Sequence, residues 1–316
     1  MREPTRPDLP TPSDGGGAAP TSRDPYLEYL RSRQAADGGW PYQAGQPSGL
    51  EPTAFALLAF HAGGEGAGTA ARGGLKALER WQTSGGGFSV QDGAPPGPYA
   101  TALAMVALLA YDCGAAAAEV ARRWLIRSRS ETISGSGGAY GHDTRLAGWS
   151  WVEGTYGWVE PTAWAVRALR SCGDDEHPRV REGLSMLFDR TVDGGGWNYG
   201  NVEVLGRRLA AQPETTGVVL MAVSGISHPS IERALDYLAD ESPRVRSPWS
   251  MAWARLGLVA HRRSARPIAA FERRRLGVND TLNAALLRLA SAPREDHPLL
   301  SMQTDAPSLR PREARP

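Results

Sequence analysis

A glycine-rich turn that ends in an aromatic residue recurs along this chain and leads each time into an apolar helix. The turns are Gln34 to Tyr42 (with Gly38-Gly39-Trp40), Gln82 to Phe88 (Gly86-Gly87-Phe88) and Asp193 to Tyr199 (Gly195-Gly196-Trp197). A third-unit turn at Ser136-Gly137-Gly138-Ala139-Tyr140 is lengthened by a loop rich in tryptophan. The helices that follow open on Glu51-Pro52-Thr53, Pro98-Tyr99-Ala100-Thr101, Glu160-Pro161-Thr162 and Pro213-Glu214-Thr215-Thr216. A period of about 50 residues with a fixed internal order marks a repeat of one supersecondary unit that cannot bury its apolar face alone.

Each turn is preceded by a helix with one apolar stripe: Leu27 and Leu30; Leu75, Leu78 and Trp81; Val120, Trp124 and Leu125; Val180, Leu184 and Leu187. A fifth unit carries Ile231, Leu235 and Leu238 and restarts at Pro248-Trp249 without a Gly-Gly-aromatic turn. A sixth, from about Pro267, ends on a helix from Asn279-Asp280-Thr281 to Ala290. The second helix of every pair is apolar nearly all round, the pattern of a helix with neighbours on most sides. Six such pairs predict an all-α, (α/α)6 toroid in which the second helices form the inner ring. Residues 25–290 make the barrel, flanked by disordered tails at 1–24 and 291–316, both rich in Pro and polar residues.

Composition excludes several functions. Lys plus Arg number 35 against 34 acidic residues, so charge gives no reason to expect nucleic acid. No apolar run reaches the ~20 residues of a membrane span, and the N-terminus lacks a signal-peptide core, so a cytoplasmic protein is expected. Cys113 and Cys172 stand alone rather than in a CxxC, His177 lacks ligand neighbours, and no metal or other cofactor is expected. The expected partners are an apolar small molecule and, short of a span, a membrane surface or another protein.

The loop before the third inner helix is the densest candidate site. It holds Trp149, Trp151, Tyr156 and Trp158 and ends at Glu160. Glu51, Glu160 and Glu214, with Asp280, stand at the starts of inner helices, and a ring would gather these acids at one mouth. Converging carboxylates raise one another's pKa and form an acid–base set; alternatively each is a helix-start charge bound to local amides. Trp151, Tyr156, Trp158 and His142 are the candidate substrate-binding residues, with rings able to hold a cationic intermediate or simply to fill the turn. His142-Asp143 is a possible acid–base pair, and Arg262-Arg263 and Arg273 to Arg275 could meet an acidic group.

The turns at Trp40, Phe88 and Trp197 resemble the QW-type repeats of the squalene/hopene cyclases and of protein prenyltransferase β subunits, over about residues 25–290 of this chain. The resemblance implies a single (α/α)6 barrel that acts on or binds an isoprenoid. It also implies an acidic DxDDT run, but here Gly277-Val278-Asn279-Asp280-Thr281 has Gly and Asn where the first and middle acids would stand. Prenyltransferase zinc ligands and a complete DDxxD run are missing too; Asp174-Asp175-Glu176 is only a partial match. The expected function is therefore a cyclase- or prenyltransferase-like protein without the standard acid. A non-catalytic binding barrel and a carbohydrate-active (α/α)6 barrel are the alternatives.

Overall fold

Inner helices arise from runs of small and branched apolar residues, four of the six opening at a Pro or directly after a Gly, and outer helices where such a run is thinned by charge. The structure is a computed structural model, and it describes residues 24–111, 114–134, 140–265, 280–295 and 297–300. Eleven helices lie in these residues: α1 (Pro25–Arg33), α2 (Leu50–Ala62), α3 (Thr69–Arg80), α4 (Pro98–Leu109), α5 (Ala115–Arg127), α6 (Val159–Arg170), α7 (Pro178–Asp189), α8 (Pro213–Ala222), α9 (Pro229–Glu241), α10 (Pro248–Ala260) and α11 (Thr281–Ser291).

The inner helices α2, α4, α6, α8, α10 and α11 pack each against the next, and α11 packs back on α2, so the ring closes. Outer helices lean on this ring: α1 on α11 and α2, α3 on α2, α5 on α4 and α6, α7 on α6, and α9 on α8 and α10. In α4 every residue from Pro98 to Leu108 is buried, whereas outer α5 buries only Ala118, Ala121 and Leu125. The fold is thus the expected (α/α)6 toroid. Two short antiparallel hairpins are added to it, pairing β1 (Trp40–Pro41) with β2 (Ser48–Gly49) and β3 (Glu203–Val204) with β4 (Arg207–Arg208).

The recurring threonine has a structural task. The amides of Trp40, Phe88, Trp149 and Trp197 donate to the hydroxyls of Thr53, Thr101, Thr162 and Thr216 at 2.9, 2.8, 2.9 and 3.0 Å. The indoles of Trp40, Trp149 and Trp197 donate back to the outer helix just ended, at Leu30, Leu125 and Leu187 carbonyls. Each turn therefore stitches its outer helix to its inner helix through buried bonds that cannot be exchanged for water. The threonine sits so close that the preceding turn residue must lack a side chain. A Cβ on Gly148 would lie 2.3 Å from the Thr162 hydroxyl, and one on Gly196 2.8 Å from that of Thr216. The glutamines bind the next unit: Gln34 Nε2 donates to Gly38 and Ala70 carbonyls, Gln82 Nε2 to those of Gly86 and Ala117.

This pattern corrects the third turn. The residue equivalent to Trp40 is Trp149, preceded by Gly148, and not Tyr140; residues 135–139 lie outside the described residues. The expected C-terminal tail also needs correction at its start. Leu299 and Leu300 are buried in the core, and Arg167 of α6 donates from Nε to the Leu299 carbonyl. The sequence around them is polar and proline-rich, but two leucines suffice to anchor it. Asp174 and Asp175 are ion-paired with Arg122 and Arg170, so the acidic run is a structural clasp. Cys172 is a free thiol that burial pushes up to about 12. Cys113, residues 273–279 and the two chain ends lie outside the described residues.

Candidate functional site

The second residue of each inner helix decides what faces the mouth. In α2, α4, α6, α8 and α10 that residue is Glu51, Tyr99, Glu160, Glu214 and Trp249. Side chains tilt toward a helix's N-terminal end, so these five lean out over the mouth. One turn further in, the i+4 residues Phe55, Leu103, Trp164, Val218 and Trp253 form a floor and are all but sealed from solvent. Phe55, Trp164 and Trp253 meet edge-to-face at centroid distances of 5.8–6.0 Å, and Trp249 joins them at 6.1 Å from Phe55. Together these rings form a packed aromatic cluster beneath the carboxylates.

Glu51 accepts from two phenols, Tyr42 and Tyr99, both at 2.6 Å and one on each carboxylate oxygen. Each of its oxygens thus has a phenol donor of its own. Both tyrosine pKa values are raised, first by burial and then by the negative charge of Glu51, so the phenols stay donors. Glu160 is half-buried, and its pKa is raised to about 8. Burial is the largest cause, followed by the charge of Glu51, with Glu214 adding to it. The Trp164 indole N–H opposes the rise, although it stops short of hydrogen-bond geometry. Tyr199 donates to Glu214 at 3.3 Å, and its own pKa is raised by burial, then by Glu214 and in part by Glu160. Glu160 thus feels the charge of both other glutamates across the mouth, and its raised pKa favours the protonated form at neutral pH.

Asp280 stands apart. It is the N-cap of α11, before the first helical residue, and its oxygens accept from the amide and side chain of Asn283 at 2.8 and 2.7 Å. The four aromatic-loop residues also divide. Trp151 packs at a tilt against Tyr99, ring centroids 4.5 Å apart, and so borders the carboxylates. Tyr156, Trp158 and His142 instead line a half-open cavity of about 160 Å³ behind Trp158. The His142 ring donates from Nδ1 to the Tyr140 carbonyl, and its pKa is lowered by burial first and by the charge of Arg190 next. Asp143 does not pair with it. Arg145 takes both Asp143 oxygens at 2.8–2.9 Å and holds that carboxyl down at about 2.

Tyr42, Tyr99 and Tyr199 were not legible as site residues from motif matching. Aligning the second helical residue across units would have found Tyr99 and Trp249. Tyr42, Trp151, Tyr156, Trp158 and Tyr199 are all exposed, between 37% and 53%, and all lie in the loops leading into inner helices. The mouth face therefore offers flat rings to solvent around a polar, acidic centre. Among the described residues no cluster of His, Cys, Asp and Glu could hold a metal ion, and no helix is long and apolar enough to cross a membrane.

No protein-family model and no curated protein matches this chain. Solved structures do. The chain is similar to an α-amylase from Clostridium perfringens, with TM-score 0.61 and 8% identity over 84% of this chain and 96% of that one. It is similar to a glycoside hydrolase family 76 mannosidase from Bacteroides thetaiotaomicron, with TM-score 0.55 and 12% identity over 84% and 95%. A type II terpene cyclase from Scytonema is similar at TM-score 0.49 and 15% identity over 90% and 77%. At such identities the likeness establishes the toroid and nothing about the reaction.

Proposed function

We propose that the mouth is an acid–base site that cleaves glycosidic bonds of an oligosaccharide. The observation that carries this reading is the asymmetry between Glu160, whose pKa is raised to about 8, and Glu51, whose two oxygens each accept from a phenol. Glycoside hydrolysis needs this asymmetry: one carboxyl that donates a proton to the leaving oxygen and one that faces the cationic ring. Glu160 gives its proton as the C–O bond breaks. Glu51, held by Tyr42 and Tyr99, faces the positive anomeric carbon. Water adds to that carbon, and its proton passes to Glu214, one oxygen of which has no partner among the described residues. Trp151 and Trp158 supply flat surfaces on which sugar rings stack.

The acid strength favours this chemistry over cyclisation. Protonating a carbon–carbon double bond calls for an acid stronger than an ordinary carboxyl, whereas the mouth shifts Glu160 toward a weaker one. An isoprenoid ligand keeps one point of support, the half-buried Trp249 above the aromatic floor, together with turns that resemble those of triterpene cyclases. The experiment is a screen of neutral and acidic oligosaccharides with the native protein and Glu160→Gln, beside incubation with squalene, oxidosqualene and isoprenoid diphosphates. Hydrolysis lost in Glu160→Gln supports the glycosidase reading. No cleavage of any glycan, with lipid found bound by mass spectrometry, replaces it with the isoprenoid reading.

A further inference from the structure

Arg190, at the end of α7, is 7% exposed, yet no carboxylate in the described residues forms an ion pair with it. Nη1 donates to the Gly157 carbonyl at 2.8 Å, and Nε is sealed in with no acceptor. The adjacent Asp189 attracts it at a distance but forms no ion pair with it, and the Asp189 Oδ2 accepts instead from the Asp143 amide at 2.8 Å. Nη2 has no hydrogen-bond acceptor among the described residues and is not among the atoms sealed from solvent, and Arg190 is one of the residues that line the cavity. A guanidinium buried without a direct ion pair is costly, and native proteins seldom leave one so. Around it stand His142, kept neutral by burial and by Arg190 itself, the Asn201 amide, and the rings of Tyr156 and Trp158.

We propose that this cavity binds a carboxylate carried on a sugar ring, as in a uronic acid, with the carboxylate on Arg190 Nη2 and the ring against Tyr156 and Trp158. Charge selects a monoanion: there is one unpaired cation, and Glu131 at the rim opposes a second negative charge. The guanidinium fork matches a carboxylate and a phosphate alike, so the choice between them rests on charge. Trp158 lines this cavity, and Glu160 is two residues beyond it in the chain. The sugar held here would therefore flank the bond cut at Glu160. That last step rests on the glycosidase reading; the binding itself does not.

Calorimetric titration of the full chain with D-glucuronate, D-glucose and inorganic phosphate tests the site. Glucuronate should bind at least tenfold more tightly than glucose or phosphate. Arg190→Gln should abolish that preference, with its fold checked by circular dichroism. Because Arg190 also holds Gly157, Tyr156→Ala on the exposed rim serves as a second variant and should weaken glucuronate three- to tenfold. Glu160→Gln should bind glucuronate like the native protein, so a failure of the glycosidase reading leaves this result standing. Equal binding of glucuronate and glucose, tighter binding of phosphate, or native-like affinity in both cavity variants overturns the proposal.

Discussion

Glu160 has its proton affinity set by position more than by residue type. A glutamate at the second residue of a helix ordinarily meets the positive helix end and is stabilised as an anion. Here burial and a negatively charged neighbour outweigh that effect and carry it to about 8. A folded-state pKa above the unfolded value means that the native protein holds the extra proton between about 4.5 and 8. Stability is then full below that window and falls as pH rises through it, by on the order of a few kcal/mol after allowance for solvent at the mouth. Glu160→Gln should flatten this decline, and thermal melts between pH 5 and 9 would show it. On the proposed glycosidase reading, catalysis follows the same proton: activity of the native protein should drop above pH 8, and Glu160→Gln should lower kcat by roughly 10²- to 10⁴-fold. An unchanged alkaline limb in a still-active Glu160→Gln would remove Glu160 as the acid. Tyr99→Phe leaves one Glu51 oxygen without its phenol, and charge-assisted bonds of this kind are worth ~1.5–3 kcal/mol. A fall in kcat of roughly 10- to 100-fold with KM little changed is expected, and a change confined to KM would place Tyr99 in binding alone.

At the scale of single elements, the turn and the threonine act as one device. Thr162→Val keeps shape but removes the acceptor for the Trp149 amide, which is fully buried. The cost should be ~1–3 kcal/mol, read as a lower denaturation midpoint. Thr155→Val is the control, since its hydroxyl is bonded at an exposed loop carbonyl and its loss should be near neutral. If both variants melt alike, the stitch carries no energy. This device also explains what was legible beforehand. Apolar inner helices, Gly-aromatic turns and the period of the repeat are local patterns, and they specified the toroid. Within the site, the glutamates could be picked out because they repeat, but Asp280 looked equivalent only by proximity to a threonine. Its place as N-cap, rather than second residue, depends on where the helix begins, and helix boundaries are weakly encoded. The third turn misled for a related reason. Two glycines next to Tyr140 imitate the motif, and only the bond from Trp149 to Thr162 identifies the true copy. Arg167, Arg179 and Arg190 were invisible as buried groups because a charged residue on a helix is by default read as solvated.

For the whole molecule, the decisive property is that the last inner helix touches the first. Thr281 donates from its hydroxyl to the Pro41 carbonyl at 2.6 Å and from its amide to that of Tyr42 at 3.1 Å. Arg288 reaches the Ala62 carbonyl at the far end of α2 and pairs with Asp24 ahead of α1, although its Nε lacks hydrogen-bond alignment there. In an open solenoid, removing a terminal repeat costs that repeat and one interface. In a ring it costs two interfaces and bares the flanks of both neighbours. α11 buries Leu286, Leu287 and Leu289, each worth about 1.5–3 kcal/mol, and its loss would also uncover apolar faces of α2 and α10. The sum is comparable with the ~5–15 kcal/mol that holds a whole domain folded. A chain ending at residue 279 should therefore lose cooperative unfolding altogether and expose dye-binding apolar surface, rather than melt a few degrees lower. The carboxylate set gives an independent readout of the same closure. Tyr42, which holds Glu51, is itself positioned by the Thr281 amide, so Thr281→Pro, which removes that amide, should disturb the mouth before it unfolds the barrel. A folded, cooperative protein from the chain ending at 279 would show instead that the contacts between α11 and α2 are incidental, and that the mouth is shaped by each helix pair alone.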